Sequence, residues 1–578
     1  MLYTTLSGSI RLRVKPGVIH QIFTILSFIL LVALTLNPTA AQGDETIDAL
    51  LEQMTLEQKI AQMFMVTLHG SMLNQPSQEF LRVWQPGAIS LFSDNVTSTE
   101  GVAALTNAMQ ITMQEAGAPP LIIATDQEGG VVSRLAPEAG FTLMPTPLLM
   151  GAAGRNATQQ MAIAVAEELR AVGVNMNLAP VSDLETNPDN PIIFRRAFGS
   201  DPEMVGEAIS GYISGMQLMN IMATAKHFPG HGETDADSHA ELPRLTLDRE
   251  RIDTVELVPF RDAIQSGVAA IMVGHLWYTA LDPTPNMPAS LSYPVVTGLL
   301  RETLGFDGII MTDAMDMNAV DLTYNFYDAI LLAIEAGVDM LALGPSTGPE
   351  VSIQAIQTVA AAVRDGRIPE SRIDDSVRRI LEAKQQYDLF NWQPLDVETT
   401  ASRMNSERHT EAVANLFRAG VTLASDESDL IPVDTSRRVA VIFLATRYQI
   451  RDACLPYTNP ELTQWVGISD SPGQDEISWA VSAAQNADTV IVFTQNAISN
   501  PAQQALVNAL PQNKTVAVAL WSPYDWQTYS NISGYMTTYS PARPAVPAAC
   551  DILFGAAPAR GRLAITLGED LPAGSTAP

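Results

Sequence analysis

Between residues 63 and 343 the sequence alternates short apolar runs with stretches of helical period, eight times over. The runs are Met63–Val66, Ala88–Leu91, Leu121–Ala124, Val174–Leu178, Met222–Ala225, Ala270–Val273, Gly308–Met311 and Val338–Leu343. Most are continuously apolar rather than alternating, which is the pattern of strands buried on both faces of a parallel sheet. Helical patterns lie between them at Thr158–Val172, Met204–Met219, Leu257–Ser266 and Tyr327–Ala336, and Gly173, Gly267 and Gly337 stand where those helices should stop. About eight strand–helix units over roughly 350 residues predict an α/β fold, a (β/α)₈ TIM-type barrel. A doubly wound open sheet is the competing architecture. No G-x-G-x-x-G follows the first run, which weakens its dinucleotide-binding form.

The barrel leaves two ends of a 578-residue chain to account for. Residues 46–62 read as helix, with Thr55 and Gln58 spaced as a capping box. Upstream, Arg11, Arg13 and Lys15 precede the apolar run Ile22–Leu36 and the small residues Thr39-Ala40-Ala41, the layout of a cleaved signal peptide. The run is short for a membrane span, which needs about 20 residues, so an uncleaved anchor is the weaker alternative. The expected location is secreted or extracytoplasmic, with membrane contact only through this segment. Downstream, residues 391–404 are polar and look like a linker. Glu411–Leu423 has a helical pattern, and Val439–Leu444, Thr489–Phe493 and Thr515–Leu520 read as buried strands. The predicted organisation is a signal peptide over 1–41, the barrel over 42–392, a linker over 393–404 and a smaller, sandwich-like α/β domain over 405–578.

Formal charge is −30, and residues 1–41 hold only basic charges, so their removal makes it more negative. Such a chain repels nucleic acid and anionic surfaces and suits neutral or cationic ligands. The only two cysteines are Cys454 and Cys550. Export permits a disulfide, and two buried thiols fit the sequence equally well.

Polar side chains gather where the predicted strands end, which in a barrel is the active-site face. Asp126-Gln127-Glu128-Gly129-Gly130 follows the third run, Asp183 and then Arg195 and Arg196 follow the fourth, and Asp313 follows the seventh. After the fifth comes Lys226 to His239, KHFPGHGETDADSH, with three of the seven histidines. His227 and His231 have the spacing of zinc ligands on a helix, but Pro229 and Gly230 break the helix and no Glu follows His227. A metal is therefore not expected. Asp237 is placed to orient the His239 ring and raise its basicity. Each Asp alone is more often a loop cap than a catalyst. Acids and bases at successive strand ends favour general acid–base work of the kind used in sugar hydrolysis.

These residues resemble glycoside hydrolase family 3, in its β-N-acetylhexosaminidase branch. The carrying motifs are MTLEQKIAQM (54–63), ATDQEGG (124–130), FRRAFGSD (194–201), KHFPGHG (226–232), DADSH (235–239) and MTDAMDM (311–317). The resemblance covers about residues 45–390 and extends more loosely beyond. It implies Asp313 as nucleophile, His239 with Asp237 as general acid/base, and Asp126, Arg134, Arg196, Lys226 and His227 as binders of the sugar hydroxyls. It implies retention of configuration, no cofactor, and a carbohydrate substrate with terminal N-acetylglucosamine, from chitin or peptidoglycan turnover. Two departures stand out: Val131-Val132-Ser133 separates the E-G-G from Arg134, and Arg195 occupies a position that is commonly uncharged or acidic. A family 3 β-glucosidase is disfavoured by the D-S-H. A β-N-acetylglucosaminide phosphorylase stays open, because a histidine repels phosphate less than a carboxylate does. A non-catalytic cell-wall sugar-binding protein is the reading from another class, and the presence of both Asp313 and His239 speaks against it.

Overall fold

The structure, a computed structural model, describes residues 47–238, 240–529 and 531–577. The segment read as a signal peptide and His239 lie outside the described residues. The chain divides into two compact units, Met1–Met54 and Thr55–Pro578. Of the first, residues 47–53 are helical. The helix expected over 46–62 is not continuous. Thr55 is extended (φ −69°, ψ 162°) and caps a new helix, Leu56–Gln62. Gln58 N–H donates to Thr55 Oγ1 (3.3 Å) and Thr55 N–H to Gln58 Oε1 (2.9 Å). The capping box thus forms as its spacing predicts, and forming it interrupts the pattern.

Eight parallel strands follow: β1 (Phe64–Thr67), β2 (Ala88–Leu91), β3 (Ile122–Thr125), β4 (Met176–Asn177), β5 (Met222–Phe228), β6 (Ala270–Val273), β7 (Ile309–Thr312) and β8 (Leu341–Ala342). Their order is β7-β6-β5-β4-β3-β2-β1-β8, and a bridge between Met311 and Met340 joins β7 to β8. The sheet closes on itself, the barrel the alternation predicts. Residues of β1, β2, β3, β6 and β7 are all buried, as expected for strands between a packed interior and a helical coat. The coat includes Thr99–Glu115, Arg155–Ala171, Pro202–Leu218, Phe326–Ala336, Pro349–Arg364 and Glu370–Gln386. Gly337 ends one of them at φ 112°, a left-handed turn that a side chain would strain.

The polar stretch after the barrel docks rather than dangles. Leu395 exchanges two backbone hydrogen bonds with the Asn107 side chain (2.8 and 2.9 Å), and a 3₁₀ helix spans Val397–Arg403. Beyond it lies a second, six-stranded α/β sheet: β9 (Thr422–Asp426), β10 (Val439–Leu444), β11 (Thr463–Ile468), β12 (Thr489–Thr494), β13 (Thr515–Ala519) and β14 (Gly534–Thr537). The order is β9-β14-β13-β12-β10-β11, parallel except for β9 against β14. The helix expected over Glu411–Leu423 runs from Glu407 to Gly420. Leu423 belongs to β9, where the ladder with β14 outweighs its helical spacing. Cys454 and Cys550 form a disulfide, with their Cα atoms 5.2 Å apart.

Candidate active site

The barrel strands end in polar residues around a cavity of about 660 Å³. Asp126 and Glu128 reach it from beyond β3, Lys226 and His227 from the end of β5, and Asp313 from beyond β7. Arg196, Asp237 and Ser238 line it from longer loops. Arg134 arrives on a hairpin, Gln127–Gly129 paired with Val132–Ser133, so the three residues inserted before it build the turn and second strand. His227 lies in β5 and not on a helix, as the Pro229-Gly230 pair requires.

Four charges form a compact cluster at one wall. Lys226 Nζ stands 2.7 Å from Asp126 Oδ1 and 2.7 Å from Glu128 Oε1. Arg196 grips Glu128 with two parallel hydrogen bonds of 2.8 Å from Nε and Nη2, the bidentate geometry only a guanidinium offers. Burial opposes ionisation of Glu128, but Arg196 and Lys226 outweigh it and hold the carboxyl far below its usual range. Burial likewise works against the Lys226 ammonium, and Asp126 and Glu128 overcome it, leaving the pKa raised. Buried ion clusters contribute little net stability, since desolvation offsets attraction. A cluster of fixed charges that opens on a cavity is better explained by what it binds. Arg134 Nη2 sits 3.6 Å from Asp126 Oδ2 at the more open side.

Asp313 lines the same cavity. Its N–H donates to Val273 O (3.0 Å), and its Oδ1 accepts from Ala314 N–H (2.8 Å). Burial pushes its pKa up. The His227 and His275 side chains, the Ala314 N–H and Lys226 more than reverse this and bring it to about 2. The carboxylate is therefore ionised at any ordinary pH.

Asp183 organises the β5 end. Its Oδ2 lies 2.7 Å from His227 Nδ1, and its Oδ1 accepts from the backbone N–H of His227 (3.1 Å) and His231 (2.7 Å). Burial would raise the Asp183 pKa, but His227 and His231 keep it lowered. An ionised Asp183 makes Nδ1–H of His227 the donor and leaves Nε2 toward Arg196 Nη2, 3.4 Å away. His231 is pushed down to about 4, mainly by burial, and bridges Thr234 Oγ1 (2.9 Å) and Ser238 Oγ (3.0 Å). Ser238 O also accepts from Ala319 N–H (3.3 Å). The loop carrying the D-S-H is thus tied on both sides, with Asp237 and Ser238 on the cavity wall.

The structure brings Asp126, Arg134, Arg196, Lys226, His227, Asp237 and Asp313 to one cavity. Sequence reasoning left Glu128, Asp183 and His275 without roles. Glu128 lay inside a quoted motif. His275 sits two residues beyond β6, the same strand-end signal that marked Asp313, and binds Ser290 Oγ (2.7 Å) and Ala314 O (3.0 Å).

Comparison with known proteins agrees with this geometry. Residues 55–383 match the glycosyl hydrolase family 3 N-terminal domain. The chain is similar to β-hexosaminidase A of Pseudoalteromonas piscicida, 28% identical over 545 residues, covering 85% of this chain and 90% of that protein. It is also similar to a β-hexosaminidase of Tolumonas auensis, 37% identical over 281 residues, 48% of this chain and 81% of the relative. Among solved structures, a family 3 β-N-acetylglucosaminidase from Paenibacillus sp. str. FPU-7 superposes with a TM-score of 0.75 at 31% identity, covering 89% of this chain and 99% of that one. A closed parallel barrel with a charged cavity at its strand ends, a family match over the whole barrel and a related structure spanning both domains lead to one conclusion: the chain belongs to glycosyl hydrolase family 3 and is a glycoside hydrolase.

Proposed function

We propose that the protein is a retaining exo-β-N-acetylglucosaminidase that releases terminal N-acetylglucosamine from peptidoglycan or chitin fragments. The observation that carries this is Asp313, an ionised carboxylate on the cavity that Lys226, Arg196 and Asp126 also line. The relatives named above, β-hexosaminidases and a β-N-acetylglucosaminidase, support the choice of sugar.

In the first step Asp313 attacks C1 of the sugar. The C1–O bond breaks, and His239, oriented by Asp237, gives its proton to the departing oxygen. In the second step His239 takes a proton from water, the water oxygen bonds to C1, and Asp313 leaves. A histidine suits this double role because it titrates near neutrality without much tuning. Asp126, Arg134, Arg196, Lys226 and His227 hold the sugar hydroxyls, with Lys226 and Arg196 fixed by Glu128. Export through residues 1–41 belongs to the same reading, since such fragments arise outside the cytoplasm.

Turnover of an aryl β-N-acetylglucosaminide against an aryl β-glucoside tests the sugar, and preference for the glucoside would refute it. His239→Ala should slow substrates with poor leaving groups more than those with good ones. A uniform loss would remove the proton-donor role. Release of N-acetylglucosamine 1-phosphate in phosphate buffer would replace hydrolysis by phosphorolysis.

A further inference from the structure

The loop that carries Arg196 has two faces. One presents Pro191, Ile192 and Arg196 to the cavity. The other lies against the C-terminal domain. The Phe194 ring packs on Tyr524 at 5.3 Å between centroids, and Tyr524 O–H donates to Glu185 Oε1 (3.2 Å). The Arg195 guanidinium sits 4.7 Å from the centre of the Trp521 ring and 5.7 Å from that of Phe194. Arg195 Nε is buried and has no hydrogen-bond partner among the described residues, so stacking on rings is what fixes this end of the side chain. Ser200 N–H donates to Ala564 O (3.0 Å), and Thr566 N–H donates to Ser200 Oγ (2.9 Å).

Arg195 and Arg196 are consecutive and divide their labour. Arg196 N–H closes a tight turn onto Ile193 O (2.7 Å). That turn sends the first guanidinium to Trp521 and the second to Glu128. The bond to Glu128 fixes only the tip of Arg196. Its backbone is held on the barrel side by the turn onto Ile193 O and by Asn190, whose Oδ1 accepts from Ile192 and Ile193 N–H (2.9 Å each), and on the far side Trp521 and Tyr524 pack against the two residues before it. A displacement of about 1 Å in a substrate-holding group is enough to cost about 10²-fold in rate.

We infer that Trp521 and Tyr524 are positioning residues: the C-terminal domain sets the place of Arg196 by clamping Phe194 and Arg195, and so sets affinity for the sugar. This rests on the reading of Arg196 as a substrate-binding residue. It gives the second domain a task in the reaction without a residue in the cavity.

The test is steady-state kinetics of the full chain on an aryl β-N-acetylglucosaminide. Arg196→Lys comes first and should raise KM by about tenfold or more, because a lysine cannot reproduce the bidentate grip. An unchanged KM there would remove the reading of Arg196, and this inference with it. Trp521→Ala and Arg195→Ala should each raise KM by about tenfold with kcat nearly kept. The inhibition constant of free N-acetylglucosamine should rise in parallel. Trp521→Phe should restore most of the loss, and the double variant should be no worse than either single one, since both remove one stack. A purely structural role predicts something else: fewer active molecules, hence a lower apparent kcat at unchanged KM. That result, or parental KM in Arg195→Ala while Arg196→Lys is impaired, overturns the inference. Arg195→Ala removes the stack from the barrel side, so a Trp521→Ala chain that fails to fold still leaves a decisive measurement.

Discussion

Two of the barrel's clusters of buried charge lie at opposite ends of its strands and face different surroundings. At the C-terminal end, Asp126 and Glu128 meet Lys226 and Arg196 beside the large cavity. At the N-terminal end, Asp339 is fully buried among Arg301 (2.6 Å), Arg379 (3.1 Å) and, more distantly, Arg372 (3.9 Å). The lower arginines spend most of their remaining donors on backbone. Arg372 Nη2 donates to Val338 O (2.6 Å) and Arg301 Nη1 to Gly308 O (3.0 Å), while Asp339 Oδ2 accepts from Ile310 N–H (3.0 Å). That cluster staples the entry of β7 to the entry of β8. The upper cluster pairs its cations with Asp126 and Glu128 on the wall of an open cavity. The same carboxylate–guanidinium chemistry is thus enclosed by backbone at one end and opens on a cavity at the other, where the proposed function has it bind sugar.

Four substitutions sharpen or break this contrast. The largest effect belongs to Asp313→Ala, expected to lower kcat by about 10⁴-fold with little change in denaturant midpoint. Aryl glycoside turnover beside an unfolding curve checks both halves, and equal activity would end the nucleophile assignment. Asp339→Ala should do the reverse. It leaves three arginines without their carboxylate and should cost about 3–5 kcal/mol, read as a shifted denaturant midpoint, with KM unaltered in the molecules that remain folded.

Glu185, where barrel meets second domain, comes next. Burial pushes its pKa up to about 8, against an ordinary 4.5, with only Tyr524 working the other way. Between those two values the unfolded chain loses the proton and the folded chain keeps it. Stability should therefore fall by up to about 1.4 kcal/mol per pH unit as pH rises from 4.5 to 8. Glu185→Gln should flatten that slope, and unfolding midpoints at three pH values would show it. The smallest effect is in the acid limb of kcat/KM. Asp313 at about 2 stays ionised well below pH 4, partly through His275. His275→Asn should move the nucleophile's limb upward by about one pH unit, and an unmoved limb would separate His275 from Asp313 electrostatically.

The barrel was legible because its strands are buried on both sides and so read as unbroken apolar runs. Ala88–Leu91 and Ala270–Val273 coincide with β2 and β6 to the residue. β11 escaped notice for the opposite reason. Thr463–Ile468 is an edge strand, and only Val466 and Ile468 are buried. β14 begins at Gly534 and lacks the apolar start that marks β10. In the site, short motifs carried Asp313, Lys226 and Arg196, since each sits just past a strand or in a recognisable string. Asp339 and the Glu185–Tyr524 contact were invisible, because their partners lie on other elements: 38 positions separate Asp339 from Arg301, and 339 separate Glu185 from Tyr524. Local pattern finds what points into a barrel mouth. It does not find what another part of the chain will press against.

The join between β7 and β8 has one more consequence. Thr312 N–H donates to Met340 O (3.1 Å), Ala342 N–H to Thr312 Oγ1 (3.1 Å) and Met315 N–H to Ala342 O (2.9 Å), so Asp313 lies between contacts that exist only once the ring has closed. The carboxylate proposed as nucleophile is thus placed at the seam. A chain that has collapsed but not sealed holds its apolar strands together and yet has no chemistry to offer. During refolding, turnover should lag behind the recovery of helix signal, making enzymatic activity a clock for the last joint in the ring.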